Sequence, residues 1–416
     1  MTDSLKWEVC LLSVLIMALM AAGVCGAVES ERGLALRENV LLLKWPESIS
    51  GQLGEKYFGM SETRLRYWEH LSAGPVSFAA AVDSRAGFMS SKMSASGGFG
   101  SEGSLLGESK PLERWDMTFD HVDEDGASLS SRIDRLNARF SIGAFDVNIG
   151  RQPFSMGTSH FVGVLDVVAP FAPGALDASY KPGVDAVRIG RGFGMTSEAE
   201  ILYVASKDAD DSAIIGRYRT SLGSVDMELA GGQFRERVFG GIGWEGGVSP
   251  FGYWGELAFF ERIAAGEKNR GGWSEAAVSA VLGLDYYIEA DFVLGAAYMH
   301  QDFGARDVGE LSDVYNDAPF REGWAFLGAA DYGLVTLSKE LHPLVQANVA
   351  GILNLIDSST LWQPQITIST GDNTDLSVYG WFGSGESTDP ESRCPRVESE
   401  FGDMPGGVGM FARWFF

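Results

Sequence analysis

Cysteine is nearly missing from this chain. Three occur in 416 residues, and two of them, Cys10 and Cys25, fall in the leading segment, so that Cys394 stands alone in the remainder. That excludes an internal disulfide and a cysteine metal site there. Histidine is as sparse: His70, His121, His160, His300 and His342 are scattered without ligand spacing. Cations are few, with 32 Lys and Arg against 56 Asp and Glu and a formal charge of -24, so no nucleic-acid partner is expected. Long apolar runs are missing too. Val9 to Val24 is the one such stretch, and nothing after Ala27 approaches the ~18 residues that a spanning helix needs.

The apolar run follows a short start containing Lys6 and precedes Cys25-Gly26-Ala27. It reads as a secretory signal over 1–27, cut after Ala27, with 28–416 as one mature domain. A membrane anchor and a lipid-anchored Cys25 are the alternatives. An exported chain without spanning helices can still cross a membrane as a closed barrel.

What is plentiful points the same way. Glycine, at 53 residues, exceeds the usual ~7%, and aromatics make up 12%; both suit strands and tight turns. From Ser61 onward, runs of about ten alternating residues are separated by turn letters. Short turns are expected near Ala73-Gly74-Pro75, Gly143-Ala144, Gly223, Val248-Ser249-Pro250, Glu289-Ala290, Pro343 and Asp372-Asn373. Long insertions are expected near Phe88 to Ser128, Pro153 to Pro182, Asp302 to Trp324 and Ser384 to Gly406. Short turns on one side and long loops on the other are the pattern of an outer-membrane barrel.

The chain ends GVGMFARWFF, with Val408, Met410, Ala412, Trp414 and Phe416 on one side of a two-residue period. This is a closing strand with a lipid face. Counting back from a periplasmic end, the strand at Thr63 to His70 runs inward, which demands an earlier outward strand at Asn39 to Trp45. The fold expected is therefore all-β, a transmembrane antiparallel up-and-down barrel of about 18 strands, or 16 if that first segment is helical. Its partners would be outer-membrane lipid, the barrel-assembly machinery, whose end signal Phe416 resembles, and a small hydrophilic or anionic solute.

Alternation also sorts charge. An arginine on the lipid face near the midplane costs ~2–4 kcal/mol, so Arg217 and Arg219 face the lumen, as do Arg64, Arg66, Arg135, Arg139, Arg188 and Arg413. Glu198, Glu200, Asp226, Glu228 and Glu256 share it. Either these charges pair into a wet wall, or the arginines form a ring that selects anions. Gln346, Asn348, Gln363, Gln365 and Thr367 add neutral hydrogen-bonding groups, to track a polyol or hold water. The loop acids, Asp123 to Asp125 among them, are solvated charge or bridge through divalent cations to lipid headgroups.

Arg135 to Phe171, RLNARFSIGAFDVNIGRQPFSMGTSHFVGVLDVVAPF, then Pro182 to Gly190, PGVDAVRIG, and later Leu355 to Gly385, LIDSSTLWQPQITISTGDNTDLSVYGWFGSG, resemble porin-like outer-membrane barrels of the alginate-export type. Arg139, Gly150-Arg151-Gln152, Asp166, Pro170 and Gly183 to Arg188 carry the resemblance. It implies 18 strands, a long loop after the GRQ strand folding into or over the lumen, and solute diffusion past Arg139, Arg151, Asp185 and Arg188. The acids in the lumen depart from that family's electropositive interior. Such barrels also sheathe cytochromes as electron conduits, which leaves a cytochrome or periplasmic partner as the alternative.

Two chemical readings fail on the residues. Gly241-Ile242-Gly243-Trp244-Glu245-Gly246 spells GxGxxG, but Gly247 to Gly252 follows where a nucleotide fold needs a helix. A barrel lipase needs a serine beside a histidine, and no such pair can be placed. Neither a cofactor nor catalysis is expected.

Overall fold

The computed structural model describes residues 29–46, 56–90, 111–124, 126–173, 175, 179–262, 276–388 and 397–416. The signal expected over 1–27, Cys394 and Asp125 lie outside the described residues.

Among the described residues nineteen strands follow one another: β1 Glu29–Lys44, β2 Tyr57–Ala73, β3 Val76–Met89, β4 Thr118–Glu124, β5 Ala127–Ile142, β6 Phe145–Pro153, β7 Gly183–Phe193, β8 Ser197–Val204, β9 Ala213–Leu222 and β10 Val225–Phe234. After them come β11 Arg237–Val248, β12 Phe251–Arg262, β13 Ala277–Glu289, β14 Phe292–Gln301, β15 Asp331–His342, β16 Val345–Asn354, β17 Thr360–Gly371, β18 Thr374–Ser384 and β19 Gly406–Phe415. Neighbours pair antiparallel, and β1 bonds both β2 and β19, with Leu36 opposite Leu65 on one edge and Trp414 on the other. The sheet thereby closes on itself and no edge is left in the ring.

Eighteen strands make the ring. The nineteenth, β4, pairs only with the first part of β5, from Glu124 opposite Ala127 to Thr118 opposite Arg132, while β3 holds the other edge of β5 and pairs directly with it. The expected first strand exists but begins ten residues earlier than Asn39, at Glu29, and ends at Lys44. Its polar start, ESERG, reads as linker in sequence; in the barrel it pairs residue by residue with Ser72 to Trp68 of β2.

Connections at one end are tight: 74–75, 143–144, 194–196, 223–224, 249–250, 290–291, 343–344 and 372–373. Gly143 and Gly223 take positive φ, 61° and 68°, which two-residue hairpin turns require. The opposite end carries the long connections, apart from a two-residue turn at Arg235-Glu236 and the short link 355–359. Along each strand the exposed apolar residues alternate with those turned inward. In β9, Ile214 and Tyr218 are exposed while Ile215 and Arg217 are buried. Val408, Met410 and Phe416 stand exposed in the same way at the C-terminus, with Phe411 buried between them. Aromatics gather on the outer face at the turn end, where Phe251 stacks on Tyr286 with ring centroids 5.2 Å apart, as the girdle of a membrane barrel does.

Candidate functional site

Beyond Pro153 the chain turns into the barrel. Residues 154–173 contain Phe154, Met156, Val162, Val164, Leu165, Val167, Val168 and Ala169, all buried. At ~1.5–3 kcal/mol for each large apolar side chain withdrawn from water, the lumen is the cheaper place for this segment than the outside of the mouth.

Glu256, inward on β12 and 1% exposed, is its anchor. One carboxylate oxygen accepts the backbone N–H groups of Thr158 and Ser159, each at 2.6 Å, and the other those of Val164 and Leu165 at 2.7 and 3.0 Å. Glu228 accepts from the Gly157 N–H at 3.0 Å. Arg217 donates to the Ser155 carbonyl at 2.6 Å and lies 4.8 Å over the Phe154 ring. His160 sits between two carboxylates, its Nδ1 2.9 Å from Asp285 and its Nε2 3.1 Å from Glu245.

The GxGxxG stretch belongs to this contact. Gly241 and Gly243 lie within β11, where a Cβ on Gly241 would overlap the Leu165 side chain and one on Gly243 would stand 3.1 Å from both Leu165 and Thr158. Missing side chains on the wall let the segment lie flat against it.

The segment returns along the opposite flank. Lys181 pairs with Asp166, Arg135 donates to the Lys181 carbonyl at 2.5 Å, Gly183 N–H reaches Asp134 at 3.0 Å, Arg66 covers the Tyr180 ring at 4.3 Å, and Arg413 of β19 donates to Ser179 at 2.9 Å.

Arg413 pairs with Asp375 at 3.2 Å; the other arginines expected in the lumen, by alternation or, for Arg151, by the resemblance, fall into four groups. Arg64 and Arg66 share Asp83 at 2.8 and 2.7 Å, and Arg66 and Arg135 share Asp134 at 2.7 and 2.5 Å. Asp134 occupies a bulge, since Ala81 pairs with Arg135 and Val82 with Ile133; the extra residue re-aims side chains toward the lumen. Arg151 and Asp185 form a buried two-point pair at 2.9 Å for each bond, and Asp185 also accepts the N–H groups of Arg114 and Trp115 at 2.9 and 3.1 Å. Glu113 in that same segment pairs with Arg132; burial pushes its carboxyl up, against the pull of Arg132 and Arg151. Arg188 and Arg217 meet through Glu200. Arg139, 3.8 Å from Asp146, and Arg219, 2.6 Å from Glu198, are about half exposed toward the turn end and stand apart from the rest. These arginines thus pair with carboxylates, and together they form no single ring.

Sequence reading placed Glu256 inside the barrel but gave no hint of its role as anchor, and it passed over His160 because histidines were sought only as metal ligands or as partners of a serine. The recognisable signal was an inward acid opposite an apolar loop rich in backbone donors. Farther round the ring, Gln346, Asn348, Gln363, Gln365 and Thr367 lie on the inner faces of β16 and β17.

No protein-family model matches the sequence, and no curated protein does. Among solved structures the chain is similar to OccAB1 of Acinetobacter baumannii, at 11% identity over 95% of this chain and 98% of that one, with a TM-score of 0.57. It is also similar to OccAB4 of the same organism, at 10% identity over 93% and 98% with a TM-score of 0.56. OprD of Pseudomonas aeruginosa matches at 9% identity over 95% and 97%, with a TM-score of 0.56. These neighbours are outer-membrane porins, and the fold of this chain is a closed, porin-like 18-stranded barrel.

Proposed function

We infer that the protein is a passive outer-membrane channel for small hydrophilic solutes. The observation that carries this is the combination of an apolar outer belt, a polar inner wall and an inward segment, residues 154–173, bound to that wall by Glu256. A cytochrome sheath would need a clear bore, and here the segment crosses it. An alginate-export type of passage would present arginines to a polyanion. Here those side chains spend their donors on Asp83, Asp134, Asp185 and Glu200, which favours a small solute over a polysaccharide.

Reconstitution of the full chain into planar bilayers should give stepwise conductance; a folded, inserted barrel that passes no ions overturns the proposal. Arg139 and Arg188 are the arginines left partly exposed beside their partners at 3.8 and 3.6 Å. Arg139→Ala with Arg188→Ala should move the reversal potential toward cation preference, and an unchanged value would assign both to the paired wall.

A further inference from the structure

The lumen has two unlike walls. From β2 to β12 it is dominated by arginines paired with carboxylates. From β15 to β17 the polar groups are neutral apart from Glu340 at the turn end, opposite Gln346: Ser338, Gln346, Asn348, Gln363, Gln365 and Thr367 lie on the inner face. Register makes them one patch, because Asn348 stands opposite Ser338 on one side and Gln365 on the other, and Gln346 stands opposite Thr367.

What separates this patch from the charged wall is unspent hydrogen-bonding capacity. Gln346 donates to Ser338 at 3.3 Å, and Thr367 shares a bond with Ser377 at 2.9 Å. Asn348, Gln363 and Gln365 make no side-chain hydrogen bond among the described residues, and the amide nitrogen of Gln363 is buried without a partner among them. Each carboxamide offers two donors and an acceptor. Inner-face neighbours lie ~6.6 Å apart along a strand and ~5 Å apart across strands, so the patch presents donors and acceptors in two dimensions at short intervals. A molecule carrying a hydroxyl on every carbon meets several at once, in exchange for the water it sheds. An anion finds no cation there. Neutral groups also hold a solute weakly enough to release it, as conduction requires.

We propose that the β15–β17 patch is the track of the channel for neutral polyhydroxylated solutes, the sugar alcohols and small saccharides; this rests on the channel reading above. Proteoliposomes containing the full chain test it with sorbitol and gluconate, which share a six-carbon skeleton and differ by a carboxylate. Sorbitol influx should exceed gluconate influx several-fold. Combining Asn348→Ala, Gln363→Ala and Gln365→Ala should remove that preference while leaving the potassium chloride conductance in place. Gluconate entering as fast as sorbitol, or a triple variant that keeps the preference, overturns the proposal. A barrel without ion conductance would instead overturn the channel reading itself. Should the triple variant not insert, Gln365→Glu replaces it: charge on the patch should slow sorbitol, and an unchanged rate overturns the assignment.

Discussion

Replacing Glu256 by glutamine tests whether the inward segment is held by this one side chain. The two oxygens of Glu256 each accept two backbone N–H groups, from Thr158 and Ser159 on one and Val164 and Leu165 on the other. A carboxamide keeps one oxygen and turns an NH2 toward the other pair of donors, so two bonds are lost in either orientation. Hydrogen bonds to a charged group contribute ~1.5–3 kcal/mol each, and two on one acceptor are not additive, so about 3 kcal/mol is a fair expectation. At ~1.4 kcal/mol per tenfold, the seated form of the segment falls about a hundredfold relative to unseated forms. Glu228, His160 and the apolar packing remain, so the barrel should stay folded. In single-channel recordings Glu256→Gln should show larger or flickering conductance where the wild type is steady, and amide exchange at Thr158, Ser159, Val164 and Leu165 should accelerate. Steps, noise and exchange all equal to wild type would refute the anchoring role.

Three further outcomes are expected. Gly241→Ala places a methyl group against Leu165 and the Leu257 carbonyl; at ~1–3 kcal/mol of overpacking it should loosen the same segment in the exchange assay, and Leu165→Ala should restore only part of the seating. Arg151→Ala leaves the buried Asp185 without its two-point partner and should destabilise the barrel by ~3–5 kcal/mol, read as a lowered thermal midpoint in detergent, with Arg151→Met plus Asp185→Leu losing less. Glu400, in the loop before β19, accepts from Tyr315, Gly328, Tyr332 and Asn354 at 2.7, 2.7, 2.5 and 2.8 Å, and burial pushes its carboxyl up from 4.5. Its folded form therefore binds the proton more tightly than the unfolded form. That stabilisation is complete below about 4.5 and is lost as pH rises through the raised value, so thermal midpoints measured upward from pH 4 should fall in the wild type relative to Glu400→Gln.

The alternation of Arg64, Leu65, Arg66 and Tyr67, the turn chemistry at Gly143 and Gly223 and the apolar face ending at Phe416 are local features. Each is visible within a few residues because strand period and hairpin geometry act over that distance. From them followed the all-β class, the inward direction of the charges, the asymmetry of short and long connections and, by parity, the need for a strand before Thr63. The start of that strand was out of reach, since ESERG is strand only because β2 continues alongside it. The tertiary structure alone decided which inward groups meet. Glu256 and its four donors are 91 to 98 residues apart, and the first two glycines of GxGxxG are explained by a loop more than seventy residues before them. Ring position divides the lumen into a wall of paired charge and a wall of mostly unpaired amides. The sequence by itself determined which face of each strand is wet; closure of the ring decided which wet faces look at one another, because charge pairing and loop anchoring depend on separations of a few ångströms that no one-dimensional pattern encodes.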